Sequence, residues 1–83
     1  MQDEIFQRLV RCFRRVFPKV SEADIPSLAQ ENTAAWDSVA HVTLLSLLGE
    51  EFGVDTDFEG FDSALTFPAM LEVVRARTVN ARG

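Results

Sequence analysis

The sequence predicts an all-α protein, built from three amphipathic helices and a short fourth helical turn. Apolar residues recur at helical spacing in three segments, at roughly residues 2–17, 38–52 and 66–79. Pro18 and Gly53 follow the first two segments, and both residue types stop helices. The 83-residue length predicts one domain, residues 1–83, which buries only about 60–65% of the surface that its unfolded chain exposes. A large enclosed active site is therefore not expected.

The composition is that of an ordinary soluble globule, with 47% hydrophobic and 25% charged residues. Its acidic first residues differ from a signal peptide, and no apolar run reaches the roughly 18 residues of a membrane span. We therefore expect a cytoplasmic protein that does not bind membranes. Cys12 is the single cysteine, which excludes an intrachain disulfide. We interpret Cys12 as a small buried hydrophobic residue.

Charge is divided along the chain, which has a formal net charge of −5. No Lys or Arg occurs between Val20 and Val74, and this stretch holds eleven of the 13 acidic residues. Such a division favours basic protein partners for the middle of the chain, although charge also serves solubility alone. The eight basic residues lie toward the two ends: Arg8, Arg11, Arg14, Arg15, Lys19, Arg75, Arg77 and Arg82.

The first helix is predicted from about Gln2 to Phe17, with its arginines on the side opposite the apolar arc. Its basic face suggests nucleic acid, but no recognition motif or aromatic stacking platform accompanies it. We interpret it as a solvated face and expect no nucleic-acid binding. The apolar arc consists of Ile5, Phe6, Leu9, Val10, Cys12, Phe13, Val16 and Phe17.

A connection of about twenty residues follows, a length that is uncommon without structure in a compact domain. We expect a short turn at residues 21–24, with Ile25 and Leu28 tucked under the bundle and a polar, exposed segment at residues 30–33. Trp36 ends the connection. We expect it to pack against the next helix near its first turn, with partner contact as its alternative role.

The central helix is predicted to begin at Ser38, with Asp37 as its N-cap, and to stop at Gly53. A helical wheel gives it a core face of His41, Leu44, Leu45, Leu48 and Phe52. The nearly opposite side carries Val39, Val42, Thr43, Ser46 and Glu50. Two aliphatic residues that face water beside a serine at a helix start indicate a docking surface.

The remainder of the chain predicts an acidic loop, a single turn and a last helix. The loop, residues 55–62, contains two aromatic residues that anchor it. Its carboxylates lack the spacing of an EF-hand, so we expect no metal site. Residues 62–65 form the turn, and Thr66 or Ser63 caps the last helix, which has Pro68 in its first turn. We expect its apolar stripe at Phe67, Met70, Leu71 and Val74, with Val73 at the edge and fraying from about residue 80.

Asp37-Ser38-Val39, followed by a Leu-rich helix that ends Glu50-Glu51-Phe52-Gly53-Val54, resembles the acyl carrier protein family. The Asp-Ser-Leu motif of that family carries 4′-phosphopantetheine on the serine. Trp36 and His41 are also found in free-standing members. The resemblance covers nearly the whole chain and implies a four-helix acyl-carrier-like bundle with a long first loop and a short third helix.

The resemblance implies that Ser38 carries a covalent 4′-phosphopantetheine arm, installed from coenzyme A by a phosphopantetheinyl transferase that recognises Asp37. The arm's thiol would hold acyl, aminoacyl or polyketide groups as thioesters, so the chain itself is not expected to be an enzyme. A serine at a helix start is presented outward, and its phosphodiester would lie near the positive end of the helix dipole. Tethering gives the cargo a high effective concentration. The partner-facing surface would be Val39, Val42, Ser46 and Glu50.

We expect a monomer that docks on acyl-loading and acyl-processing enzymes with basic surfaces. Ala40, Thr43 and Gly49 stand where many fatty-acid carriers place acidic residues, which favours a specialised pathway such as polyketide or mixed peptide–polyketide assembly over bulk fatty-acid biosynthesis. A peptidyl or aminoacyl carrier is the nearest alternative. Two others are a hydrolase that pairs Ser38 with His41 and a helical interaction module with an unmodified Ser38.

Overall fold

The structure is a computed structural model that describes residues 4–56 and 59–82. Four α-helices follow one another in this part of the chain: α1 (Glu4–Val16), α2 (Ser38–Phe52), α3 (Glu59–Asp62) and α4 (Phe67–Arg82). The all-α prediction is confirmed, since the described residues form only one isolated β-bridge and no strand. None of the described helices has both the length and the apolar character needed to cross a membrane.

Helix α1 packs against both α2 and α4, and its Phe13 contacts an aromatic residue of α4 and another at the end of the connection before α2. The ring of Phe13 meets Trp36 edge-on at 5.4 Å between centroids and Phe67 at 5.0 Å. Such pairs stabilise a core by about 0.5–1.5 kcal/mol each beyond the area they bury. The predicted apolar arc is confirmed, because Leu9, Val10, Cys12 and Phe13 of α1 are buried, as is Phe17 directly after the helix.

The long connection between α1 and α2 is an ordered segment with two 3₁₀ turns, Ile25–Ser27 and Gln30–Asn32. Ile25 and Leu28 are buried as predicted. The prediction of an exposed segment at residues 30–33 is wrong at both of its ends, where Gln30 and Thr33 are half-buried. At Gln30, the reason is a backbone contact with the residues just before α4. The Gln30 N–H donates to Leu65 O at 2.8 Å, beside the bridge that links Ala29 and Thr66.

Helix α3 lies earlier than the turn predicted at residues 62–65, so that prediction is wrong by three residues. Ser63 follows the helix, and its hydroxyl donates back to Gly60 O at 3.3 Å. The buried ring of Phe61 anchors this region as predicted, whereas the second predicted anchor, Phe58, lies outside the described residues.

Helix α4 is capped by Thr66, whose Oγ1 accepts a hydrogen bond from the Ala69 N–H at 3.1 Å. This selects Thr66 over Ser63 as the cap. Three residues of the predicted stripe, Phe67, Met70 and Val74, are fully buried, and Leu71 and Val73 are half-buried. The helix continues to Arg82, past residue 80, where we expected the chain to fray.

Candidate functional site

The start of α2 is fixed by Asp37, as the sequence predicts. Asp37 has an extended backbone, and its Oδ1 accepts a hydrogen bond from the Ala40 N–H at 2.8 Å. Its carbonyl oxygen accepts the first helical bond, from the His41 N–H at 2.9 Å. Ser38 is therefore the first residue of the helix, and it is exposed. Its own N–H and that of Val39 belong to the first turn, where backbone donors have no partner within the helix.

The other end of α2 is closed by Gly53, also as predicted. Gly53 adopts the left-handed conformation, with φ 64° and ψ 34°, and its N–H donates to Gly49 O at 3.0 Å. A residue without a Cβ adopts this conformation with little strain. Helix α2 is thus capped at both ends.

The two faces of α2 are those that the helical wheel predicts. The core face is buried at His41, Leu44, Leu45 and Leu48, and half-buried at Phe52. On the other side, Val39 is 74% exposed and Val42 is 64% exposed. These two valines lie within the first five residues of the helix, so an apolar surface adjoins Ser38. Thr43, Ser46 and Glu50 are also exposed.

The four residues predicted as a partner-facing surface do not all lie near Ser38. Val42 and Ser46 line one shallow groove of about 280 Å³, together with Leu45, Thr56 and Asp62. Glu50 lies about 18 Å from Ser38 along the helix axis and lines a different groove, between α1 and α2. Val42, Ser46 and Glu50 follow one another at four-residue spacing along one face of α2, which runs from the Ser38 end of the helix to the groove beside α1.

A chain of hydrogen bonds beneath the start of α2 was not foreseen from the sequence. Trp36 is 1% exposed, and its Nε1–H donates to Nδ1 of the buried His41 at 3.1 Å. Nε2 of His41 lies 3.0 Å from the carbonyl oxygen of Phe61 in α3. Because Nδ1 accepts, the proton of the neutral imidazole is on Nε2, which donates to Phe61.

These hydrogen bonds bear on the roles that the sequence left open for Trp36 and His41. The predicted packing of Trp36 near His41 is confirmed, and its alternative role as a partner contact is wrong, because the indole is buried. His41 uses both ring nitrogens inside the core. In this arrangement it has no nitrogen left to accept a proton from Ser38, as a serine hydrolase would require.

Cys12 is 4% exposed and packs in the core, as predicted. Burial, and secondarily the negative charge of Glu51, raises the pKa of the Cys12 thiol to about 11. The thiol is therefore protonated at neutral pH and is a poor nucleophile.

The residues around Ser38 fit a covalently attached, phosphate-linked group. The serine is accessible, and a phosphate on it would face the positive end of a long helix. The nearest carboxylate, that of Asp37, is engaged with the Ala40 N–H as a cap. Exposed Val39 and Val42 provide an apolar surface beside Ser38.

Comparison with known proteins gives no independent assignment of a family or a function. No protein-family model, no curated protein and no solved structure matches this chain. The functional interpretation therefore depends on the residues of the chain itself.

Proposed function

We propose that the chain is an acyl carrier protein that holds acyl or polyketide intermediates as thioesters on a 4′-phosphopantetheine arm attached to Ser38. The observation that carries the proposal is the accessible Ser38 hydroxyl at the capped start of α2, above a buried core and beside two exposed valines. The proposed architecture is a four-helix acyl-carrier-like bundle with a long first loop and a short third helix.

In this function the arm supplies the thiol, and the chain supplies a fixed attachment point. Asp37 holds the start of α2 through the Ala40 N–H, and its exposed side chain also serves recognition by the phosphopantetheinyl transferase. The helix dipole favours the negative charge of the phosphodiester on Ser38. The chain performs no catalysis itself. Partner enzymes act on the tethered cargo, whose effective concentration the tether raises.

The proposed docking surface consists of Val39, Val42 and Ser46, with Glu50 as a more distant contact. Partner enzymes with basic surfaces complement the acidic middle of the chain. The exposed valines make the surface near Ser38 more apolar than a purely acidic helix face. Together with Ala40 and Thr43, they favour enzymes of a specialised pathway over those of bulk fatty-acid biosynthesis.

Intact mass spectrometry tests the attachment directly. Coexpression with a broad-specificity phosphopantetheinyl transferase should add the mass of one phosphopantetheine group to the whole chain, and Ser38→Ala should abolish this addition. Ser27→Ala is the control, because it removes an exposed hydroxyl that lies outside α2 and outside the proposed docking surface, and it should leave the addition intact. An unmodified wild-type chain, or a modified Ser38→Ala chain, would contradict the proposal.

The class of cargo needs a separate experiment, because a peptidyl or aminoacyl carrier would gain the same arm. The modified chain should be loaded by an acyltransferase or an acyl ligase and should resist an amino-acid-activating synthetase. The reverse result would assign it as a peptidyl carrier. A chain that gains no arm at all would be left as a helical interaction module.

A further inference from the structure

The exposed face of α1 carries a narrow stripe of arginines, defined here as Arg11, Arg14 and Arg15. Arg8, on the same helix, already contacts two residues of α2. Its Nε lies 2.7 Å from Glu51 Oε2, and its guanidinium group stacks over the ring of Phe52 at 4.7 Å. Arg8 thus joins α1 to α2 and leaves the remaining arginines to face outward.

The arginine stripe has little neutralising charge of its own. Arg14 has one distant ion pair, at 3.6 Å from an oxygen of Glu22, and the Glu22 side chain is 75% exposed. Such an exposed pair contributes little. Within residues 4–56 and 59–82, neither Arg11 nor Arg15 has a carboxylate within 4.0 Å. Like charges at i, i+3 and i, i+4, such as Arg11 with Arg14 and with Arg15, destabilise a helix.

Two grooves flank the stripe, and Arg11 and Arg14 line both of them. They have volumes of about 530 and 510 Å³. Each groove combines apolar side chains with acidic residues, called its rim here, that come from the segment opposite α1. The first groove has Phe6, Val10 and Pro26 with Glu22, and the second has Cys12 and Leu47 with Glu50 and Glu51.

We propose that the arginine stripe binds an acidic amphipathic helix of a partner protein, whose apolar side chains enter the two flanking grooves. A basic stripe between two acidic rims is complementary in charge to a single partner helix that carries an acidic stripe along its centre. A duplex nucleic acid or an anionic membrane presents a broad negative surface instead. The exposed carboxylate of Glu50 and the net charge of −5 would repel such a surface. This interface is centred on α1, reaches residues of the connection and of α2 through the two grooves, and does not depend on modification of Ser38.

The test titrates the isotope-labelled full chain with synthetic helical peptides and follows backbone amide NMR shifts. The probes are peptides of two, three and four turns with a glutamate stripe flanked on both sides by leucines. At least one should bind saturably, shift residues 6–15 of α1, and weaken as salt rises. The same peptides with glutamine in place of glutamate should bind at least tenfold more weakly.

Two triple variants of equal charge make the test specific. Arg11→Gln/Arg14→Gln/Arg15→Gln should weaken peptide binding at least tenfold, while Lys19→Gln/Arg75→Gln/Arg77→Gln should leave it within about twofold. Far-ultraviolet circular dichroism of both variants establishes that each is folded. Absence of saturable binding by every peptide, or equal loss in the two variants, overturns the proposal. It is also overturned if shifts centre on α2, or if duplex DNA or phosphatidylglycerol vesicles bind the stripe at least as tightly.

Discussion

The indole Nε1–H of Trp36 donates to Nδ1 of His41 at 3.1 Å, and both side chains are buried. This contact ties the end of the long connection to the first turns of α2. Through Nε2 of His41, it extends to the backbone of α3 at Phe61. The position of Ser38 therefore rests on a polar contact inside an otherwise apolar core.

Trp36→Phe should destabilise the protein by about 1–3 kcal/mol, because it leaves Nδ1 of the buried His41 without a donor. His41→Ala should cost more, about 2–5 kcal/mol, since it adds a cavity and leaves two polar groups unpaired. Urea unfolding followed by circular dichroism measures both. Val42→Ala, an exposed change, should remain within about 0.5 kcal/mol. Equal stability of Trp36→Phe and wild type would show that the indole bond contributes nothing net.

Asp37→Ala should lower the free energy of unfolding by about 0.5–2 kcal/mol, through loss of the cap on the Ala40 N–H. Asp37→Asn keeps an oxygen acceptor and should cost only a few tenths of that amount. If Asp37 also serves recognition by the transferase, the Asn variant should be modified at Ser38 more slowly than wild type at nearly unchanged stability. Equal rates of modification would limit Asp37 to the cap.

The two glycines at the end of α2 should respond to alanine with opposite signs. Gly53→Ala forces a Cβ into the left-handed conformation at φ 64° and should destabilise the protein by about 1 kcal/mol. Gly49→Ala lies inside the helix, where alanine is favoured by about 1 kcal/mol. Its Cβ would meet Val54 O at 3.4 Å, an ordinary contact, so the stability should stay equal or rise. Thermal unfolding of both variants decides the signs, and a destabilised Gly49→Ala would mean that Val54 cannot accommodate the methyl group.

Cys12 should be almost unreactive in the folded chain at pH 8, and iodoacetamide should alkylate it much faster in urea. Its pKa of about 11 lies above the ordinary value of 9.0, so folding favours the neutral thiol. The stabilisation from this difference is complete below pH 9 and is lost as pH rises toward 11. It amounts to no more than about 3 kcal/mol, at roughly 1.4 kcal/mol per pKa unit.

Comparing wild type with Cys12→Ala isolates this contribution from the titration of other groups. The stability difference between the two proteins should change between pH 9 and 11, to the disadvantage of wild type. A constant difference across this range, or rapid alkylation at pH 8 without urea, would show that the thiol is more accessible than the structure indicates.

Features that depend on local periodicity were predictable from the sequence. The buried faces of α1 and α2, the Asp37 cap and the Gly53 stop follow from residue types within a few turns of one another. The exposure of Ser38 was expected from its position at the start of α2, and the structure confirms it.

Features that depend on distant parts of the chain were not predictable in this way. The ordered segment at Gln30–Asn32 depends on a partner at Leu65, which no local window contains. The turn predicted at residues 62–65 lies three residues after the observed α3, because a four-residue helix has too few positions to show a helical period. The indole–imidazole bond has a local signal, since a tryptophan precedes the cap by one residue and a histidine follows the cap by four, but spacing alone does not give the hydrogen bond.

The backbone contacts of the connection between α1 and α2 limit how far the chain before Ser38 can move. Gln30 pairs with Leu65, Leu28 O accepts from the Phe67 N–H at 3.0 Å, and Trp36 is buried a few residues later, so no hinge lies close before Ser38. A group attached to that serine would swing about its own bonds, with the protein as a stationary pivot. If the chain is the carrier proposed above, the whole molecule would have to detach, tumble and rebind to pass cargo from one enzyme to the next.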